Sequence, residues 1–114
     1  MTDCLFCKII EGEIGSTTIY SDDDVVAIED INPQAPVHLL ILPRKHIATT
    51  MDIEDDDLEL MGRCLVAAKL LAKEKGIDQT GFRIVLNAGP DAGQSVYHLH
   101  YHVLGGRPMK WPPG

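Results

Sequence analysis

Three of the five histidines in this 114-residue chain fall in one short run, Tyr97-His98-Leu99-His100-Tyr101-His102-Val103-Leu104, at positions i, i+2 and i+4. Imidazole is the side chain whose ordinary pKa lies nearest neutrality, so it serves as base, nucleophile or metal ligand without an extreme environment. On a β-strand the three rings would project from one face at roughly 6.6 Å intervals, with Leu99, Tyr101 and Val103 on the other. One face carries chemistry and the other packs. Three stacked imidazoles make a poor core, because each needs partners for two ring nitrogens. Two chemistries stay open at this point. Two or three rings bind a metal such as zinc, or one ring is a nucleophile or general base whose tautomer the others fix.

The preceding segment, Asn87-Ala88-Gly89-Pro90-Asp91-Ala92-Gly93-Gln94-Ser95, is built from small residues whose backbone N–H groups can approach an anion closely. The Gln94 amide and Ser95 hydroxyl add donors. A metallohydrolase would usually bring a carboxylate or another histidine, and the neighbourhood offers only Asp91. Donors beside imidazoles point to phosphate. The formal net charge of -7, from 10 Lys+Arg against 17 Asp+Glu, argues against a general nucleic-acid groove, which needs clustered bases. Most of the acid sits in residues 22–30 and 52–59, whereas beyond Gln79 the bases Arg83, Arg107 and Lys110 face the single acid Asp91. A phosphate-sized anion is tolerated there.

The elements that must hold these residues fit one domain, with 45% hydrophobic and 24% charged residues against intrinsic disorder. Leu5–Glu11 reads as a short amphipathic helix, Thr17–Tyr20 and Val25–Glu29 as a hairpin, and Val37–Leu42 as an apolar strand reached through the rigid loop Asn32–Pro36. A long helix is expected over Asp55–Lys75, with Leu58, Met61, Leu65, Ala68 and Ala72 on one stripe widened by Leu60, Cys64, Ala67 and Leu71. The acids at 52–59 read as its solvated start. Phe82–Asn87 and Val96–Leu104 complete about five strands, so the expected class is α+β with an antiparallel sheet. The longest apolar stretches, Val37–Leu42 and Leu65–Ala72, are too short for a membrane span. Three cysteines and a start without a basic leader make a reducing cytoplasm the expectation.

The stretch Gly93-Gln94-Ser95-Val96-Tyr97-His98-Leu99-His100-Tyr101-His102-Val103-Leu104-Gly105-Gly106 resembles the signature of the histidine triad (HIT) family, and specifically its nucleotide-binding Hint branch. Residues Asp30–His38, Pro43–Ile47 and the ending Trp111-Pro112-Pro113-Gly114 resemble that branch too, so the likeness spans residues 1–114 as a single HIT domain. Dinucleoside-polyphosphate hydrolases of the superfamily share the triad but are not expected to end this way.

The resemblance implies a nucleoside phosphoramidase. His100 would attack the α-phosphorus of a purine nucleoside 5′-phosphoramidate, and water would release AMP or GMP from the nucleotidyl-histidine. His102 would contact the phosphate, Asn87, Gly93, Gln94 and Ser95 would complete its cradle, and His38 would support His100. The leaving amine needs a proton, for which His102, His98 and Ser95 are candidates. Asp30 corresponds to the ribose-binding acid, and Leu5, Phe6, Ile9, Ile28 and Ile31 to an apolar cleft for the purine. No cofactor is required by that chemistry. The rival readings are a nucleotide-binding scaffold with little catalysis, a dinucleoside-polyphosphate hydrolase, or a metal-dependent hydrolase built on the triad. Cys4-Leu5-Phe6-Cys7, with His46 and His98, matches a structural zinc site of some bacterial relatives. The family's twofold dimer further implies a homodimer with Trp111 near the partner subunit.

Overall fold

Val37–Pro43, the most continuously apolar run in the chain, is the central strand of one antiparallel sheet. In the computed structural model, which describes residues 4–114, helix α1 (Leu5–Ile10) precedes strands β1 (Thr18–Ser21) and β2 (Val25–Glu29). Strand β3 (Val37–Pro43), helix α2 (Leu58–Glu74), β4 (Phe82–Leu86) and β5 (Tyr101–Gly105) follow. The sheet order is β1-β2-β3-β5-β4, so β5 inserts between β3 and β4 and carries the end of the histidine run to the middle. The α+β expectation holds.

Strand alternation separates two apolar layers. Val25, Ala27, Leu39, Ile41 and Val103 pack on one face against Cys64, Ala67, Ala68, Leu71 and Ala72 of α2. Val26, Ile28, Leu40 and Leu42 cover the other face with Phe6 of α1. The acidic runs are structural. Asp22 Oδ1 accepts from the Asp24 and Val25 N–H groups, both at 2.8 Å, and so closes the β1–β2 turn. Thr49 with Asp52, and Glu54 with Asp57, form reciprocal capping boxes ahead of α2. Gly76, at φ +76°, ends the helix in the left-handed conformation.

Two expectations need correction. The first concerns α2, where Asp55–Asp57 is a 3-10 turn and Leu58 and Leu65 of the expected stripe lie exposed. The buried stripe is centred on Cys64, Ala68 and Leu71 instead, because small residues let the helix sit close on β3. The second concerns the last strand, which begins at Tyr101 rather than Val96. Its ladders end at Ile41 and Leu86, both opposite Tyr101, so residues 96–100 have no strand beside them. They follow the arm after β3 instead, with Leu99 N–H donating to the Ile47 carbonyl at 2.6 Å. His98 and His100 therefore precede the strand, although Leu99, Tyr101 and Val103 still point into the α2-side core.

Candidate active site

The β3–β5 register sets His102 opposite Leu40 and His38 opposite Leu104, which makes the two imidazoles diagonal neighbours on one face. Their hydrogen bonds assign the protons. Gln34 N–H donates to His38 Nδ1 at 3.0 Å, so the His38 proton must be on Nε2. That N–H lies 2.9 Å from His102 Nδ1 and 3.4 Å from Asp30 Oδ2. His102 Nδ1 is thus an acceptor, and its own proton sits on Nε2. Burial, with His100 and His38 alongside, pushes the His102 pKa down to about 4, so the ring is neutral at pH 7.

His100 has the opposite tautomer. Its Nδ1–H donates to the His98 carbonyl oxygen at 2.8 Å, leaving a lone pair on Nε2. Burial lowers its pKa, and the bond to His98 partly offsets that. An unprotonated, oriented imidazole nitrogen is what nucleophilic attack requires. In front of it lies a cleft of about 340 Å³ lined by Leu5, Phe6, Ile9, Ile28, Ile31 and Leu40, with Asp30, Ser95, His100 and His102 at its polar side. Asp30 Oδ1 accepts from Asn32 N–H at 2.8 Å, which orients the carboxylate.

His98 turns away from that cleft. Its Nε2–H donates to the Pro43 carbonyl at 2.8 Å, so its Nδ1 is unprotonated and faces three other donors of electron pairs. His98 Nδ1 lies 3.5 Å from Cys4 Sγ, 3.5 Å from Cys7 Sγ and 3.3 Å from His46 Nδ1, and Cys7 Sγ is 3.4 Å from His46 Nδ1. In a tetrahedral zinc site the bond lengths give edges of about 3.3 Å between nitrogens and about 3.6 Å between nitrogen and sulfur. The cluster matches those edges. Burial and the neighbouring Cys4 push the Cys7 thiol up to about 11, so that thiol stays protonated until a cation displaces its proton. The Pro43 carbonyl is the outer partner that orients a ligating histidine. Cys64, the third cysteine, is buried in the α2 core and takes no part.

Sequence comparison agrees with this geometry. A HIT domain model matches residues 11–109. The chain belongs to the HIT family. It is 51% identical to a 14 kDa zinc-binding protein of Brassica juncea, over 98% of this chain and 100% of that protein. It is 49% identical to the Adenylylsulfatase HINT1 of Arabidopsis thaliana, over 96% of this chain and 76% of that protein. A crystal structure of a HIT family hydrolase from Legionella pneumophila Philadelphia 1 superposes with a TM-score of 0.97 at 54% identity, covering 98% of this chain and 100% of that one. Sequence and fold together place the chain among the HIT family hydrolases.

In this HIT domain the residues expected from sequence divide into three places. Leu5, Phe6, Ile9, Ile28, Asp30, Ile31, Ser95, His100 and His102 share the cleft, with His38 directly behind. Cys4, Cys7, His46 and His98 form the separate cluster. Gln94, Gly93 and Asn87 are absent from the cleft lining. Gln94 is buried, with Nε2 donating to the Ala48 and Val96 carbonyls and Oε1 accepting from Gly89 N–H. Gly93 N–H closes on the Pro90 carbonyl, at a φ of +84° that suits glycine. Their donors hold the loop in shape, and Ser95 lines the cleft. Sequence reasoning missed Ile14, Gly15 and Ser16 as cleft residues, since a loop after a short helix carries no periodicity to read, and also Glu29, Leu40 and Val96, which read as ordinary strand residues. Among the described residues no helix is long and apolar enough to cross a membrane.

Proposed function

We propose that this HIT family member hydrolyses purine nucleoside 5′-phosphoramidates through a covalent nucleotidyl-His100 intermediate. The His100 Nε2 lone pair attacks the α-phosphorus, the phosphorus–nitrogen bond breaks, and its electron pair leaves with the amine. The amine takes its proton through His102 Nε2–H or the Ser95 hydroxyl, each re-protonated in turn by a water whose hydroxide is consumed in the second step, whereas both ring nitrogens of His98 are engaged elsewhere. His102 Nε2–H also donates to the phosphate as charge develops on it. Water then attacks phosphorus and His100 departs, releasing the nucleoside monophosphate. Asp30 receives the ribose hydroxyls, and the purine lies among Leu5, Phe6, Ile9, Ile28 and Ile31.

The observation that carries this reading is the opposite tautomer of neighbouring rings: His100 offers a lone pair and His102 a proton to the same cleft. Incubation with an adenosine phosphoramidate tests it. Wild type is expected to release AMP and His100→Ala to release almost none; equal rates would refute the assignment. A relative named for adenylylsulfatase activity argues for running adenylyl sulfate beside it, since the same attack at phosphorus there expels a leaving group that needs no proton.

Zinc is the cation that best fits Cys4, Cys7, His46 and His98, and a relative bears the name zinc-binding protein. Four protein ligands leave no open position, so its role is structural and it takes no step in the reaction. Metal analysis tests this, with less than stoichiometric zinc after saturation counting against it. A homodimer is the assembly that fits the surface. Leu58 and Leu65 fall on one flank of α2, the flank of Met61, whose carbonyl and sulfur meet the Tyr101 hydroxyl of β5. Phe82 and Ile84 are exposed on edge strand β4, which pairs with β5. A second copy would cover that apolar edge and bring Trp111, which is 82% exposed, toward a partner.

A further inference from the structure

His98 belongs to two sites at once. Its ring nitrogen Nδ1 is one of the four cluster ligands, while its carbonyl oxygen receives the Nδ1–H of His100 and so leaves the lone pair of that residue on Nε2. Phe6 is a second bridge between the sites. It lies between Cys4 and Cys7, and its ring meets His100 edge-on with centroids 4.9 Å apart, and His98 at 6.1 Å. Helix α1 has only 6 residues, far too few to hold itself in water. Its N-cap is a cluster thiol, since Cys4 Sγ accepts from Cys7 N–H at 3.3 Å. The groups that would hold a cation therefore also hold α1, and α1 carries Leu5, Phe6 and Ile9 to the cleft.

The fourth ligand is anchored from outside. His46 follows Lys45, whose Nζ is 2.5 Å from the buried carboxylate of Asp57 ahead of α2. Just beyond it, the Ile47 carbonyl takes Leu99 N–H and the Ala48 carbonyl takes Gln94 Nε2. The His46 arm is thus tied to both the long helix and the histidine run. Closing the cluster draws α1 and the His98 main chain onto one fixed frame.

We propose that the Cys4–Cys7–His46–His98 centre is a positioning device for catalysis, in which metal occupancy sets the tautomer of His100 and the placement of the purine-binding wall. His98 is a positioning residue that acts through His100, not a proton donor. With the centre filled, the His98 carbonyl stays aligned with His100 Nδ1–H and Phe6 stays against the ring. With it empty, α1 frays and the lone pair distributes over both nitrogens. This rests on the zinc reading above, and the test separates the two.

Full-length protein labelled with ¹⁵N-histidine is compared zinc-loaded, chelated, and as the His46→Ala and His46→Cys variants. His46 lines no part of the cleft, and cysteine there restores four ligands. Bound zinc, the imidazole ¹⁵N–¹H spectrum and AMP affinity are measured. Zinc-loaded wild type and His46→Cys are expected to hold stoichiometric zinc and a single His100 tautomer protonated on Nδ1. Chelated wild type and His46→Ala are expected to show mixed His100 tautomers and AMP binding weakened about 10- to 100-fold, the range seen when supports of metal sites are lost. The His38 and His102 signals should stay in place. Stoichiometric zinc with the same His100 spectrum and AMP affinity after its removal would overturn the coupling and leave the zinc reading intact. Failure of wild type to bind zinc would overturn both. Should His46→Ala not fold, chelated wild type against His46→Cys gives the same decision.

Discussion

His100 Nδ1–H meets the carbonyl oxygen of His98 at 2.8 Å, and that bond fixes which nitrogen of His100 faces the cleft. A backbone carbonyl does not titrate, so the arrangement holds over a wide pH range. It also differs from a carboxylate partner, which would stabilise imidazolium and favour a general base. A neutral acceptor keeps the ring oriented while leaving it a nucleophile that can depart again in the second step.

His38 is expected to act through His102, because its Nε2–H holds the His102 proton on the nitrogen that faces the phosphate. His38→Ala should lower kcat about 10-fold or more, consistent with losing a buried hydrogen bond of about 1–3 kcal/mol, and change KM little. His38→Gln, which keeps an N–H donor, should recover part of the loss. Steady-state kinetics on the three proteins check this, and an equal effect of both substitutions would speak against a role in proton placement.

Stability should respond to pH through His102. Its pKa is about 4 folded and near 6.5 in an unfolded chain, so between those values the unfolded state binds more protons. Folding stability is therefore full above about pH 6.5 and falls as the pH drops toward 4, by up to on the order of 3 kcal/mol. Urea unfolding from pH 7 to pH 4 measures the slope, and His102→Asn should reduce it, the remainder coming from His98 and His100, whose pKa values burial also lowers.

Ile31 separates binding from folding. It is 96% exposed yet lines the cleft, so it contributes nothing to the core and stands open to a ligand. Ile31→Ala should leave stability within about 0.5 kcal/mol. AMP affinity should weaken roughly fivefold, from about 1 kcal/mol of lost apolar cover. Titration calorimetry and thermal unfolding together check it.

Leu65→Lys and Ile84→Lys should each convert a dimer to a monomer, since both place a charge on the exposed apolar edge of α2 and β4 without touching the buried core. Sedimentation velocity reads the outcome. Wild type sedimenting as a monomer would contradict the interface.

Much of this was legible in the sequence because its signals are local. Apolar runs bounded by a polar turn, by proline or by glycine marked β2, β3 and β4 within about a residue, and the Asp/Glu run marked the start of α2 to within one turn. The gathering of Leu5, Phe6, Ile9, Ile28, Ile31 and Asp30 with His100 came from the family resemblance, since alternation alone assigns these residues to a core. The start of β5 at Tyr101 was not legible, because it depends on where two partner strands stop. Nor was the inward turn of Gln94, whose partners Gly89, Ala48 and Val96 meet only in the folded chain. Leu58 and Leu65 were placed on the packing stripe of α2 but lie exposed, because periodicity shows that a flank is apolar and not whether this chain buries it.

The nucleotidyl-histidine is the claim on which the rest depends. Rapid quenching of wild type with an adenosine phosphoramidate, followed by peptide mass spectrometry, should find an adenylyl group on the peptide holding His100. His100→Ala should show no adduct and lose at least about 10⁴-fold in kcat, as removal of a catalytic nucleophile does. AMP release by His100→Ala at the wild-type rate, or an adenylyl group on His102 instead, would contradict the account.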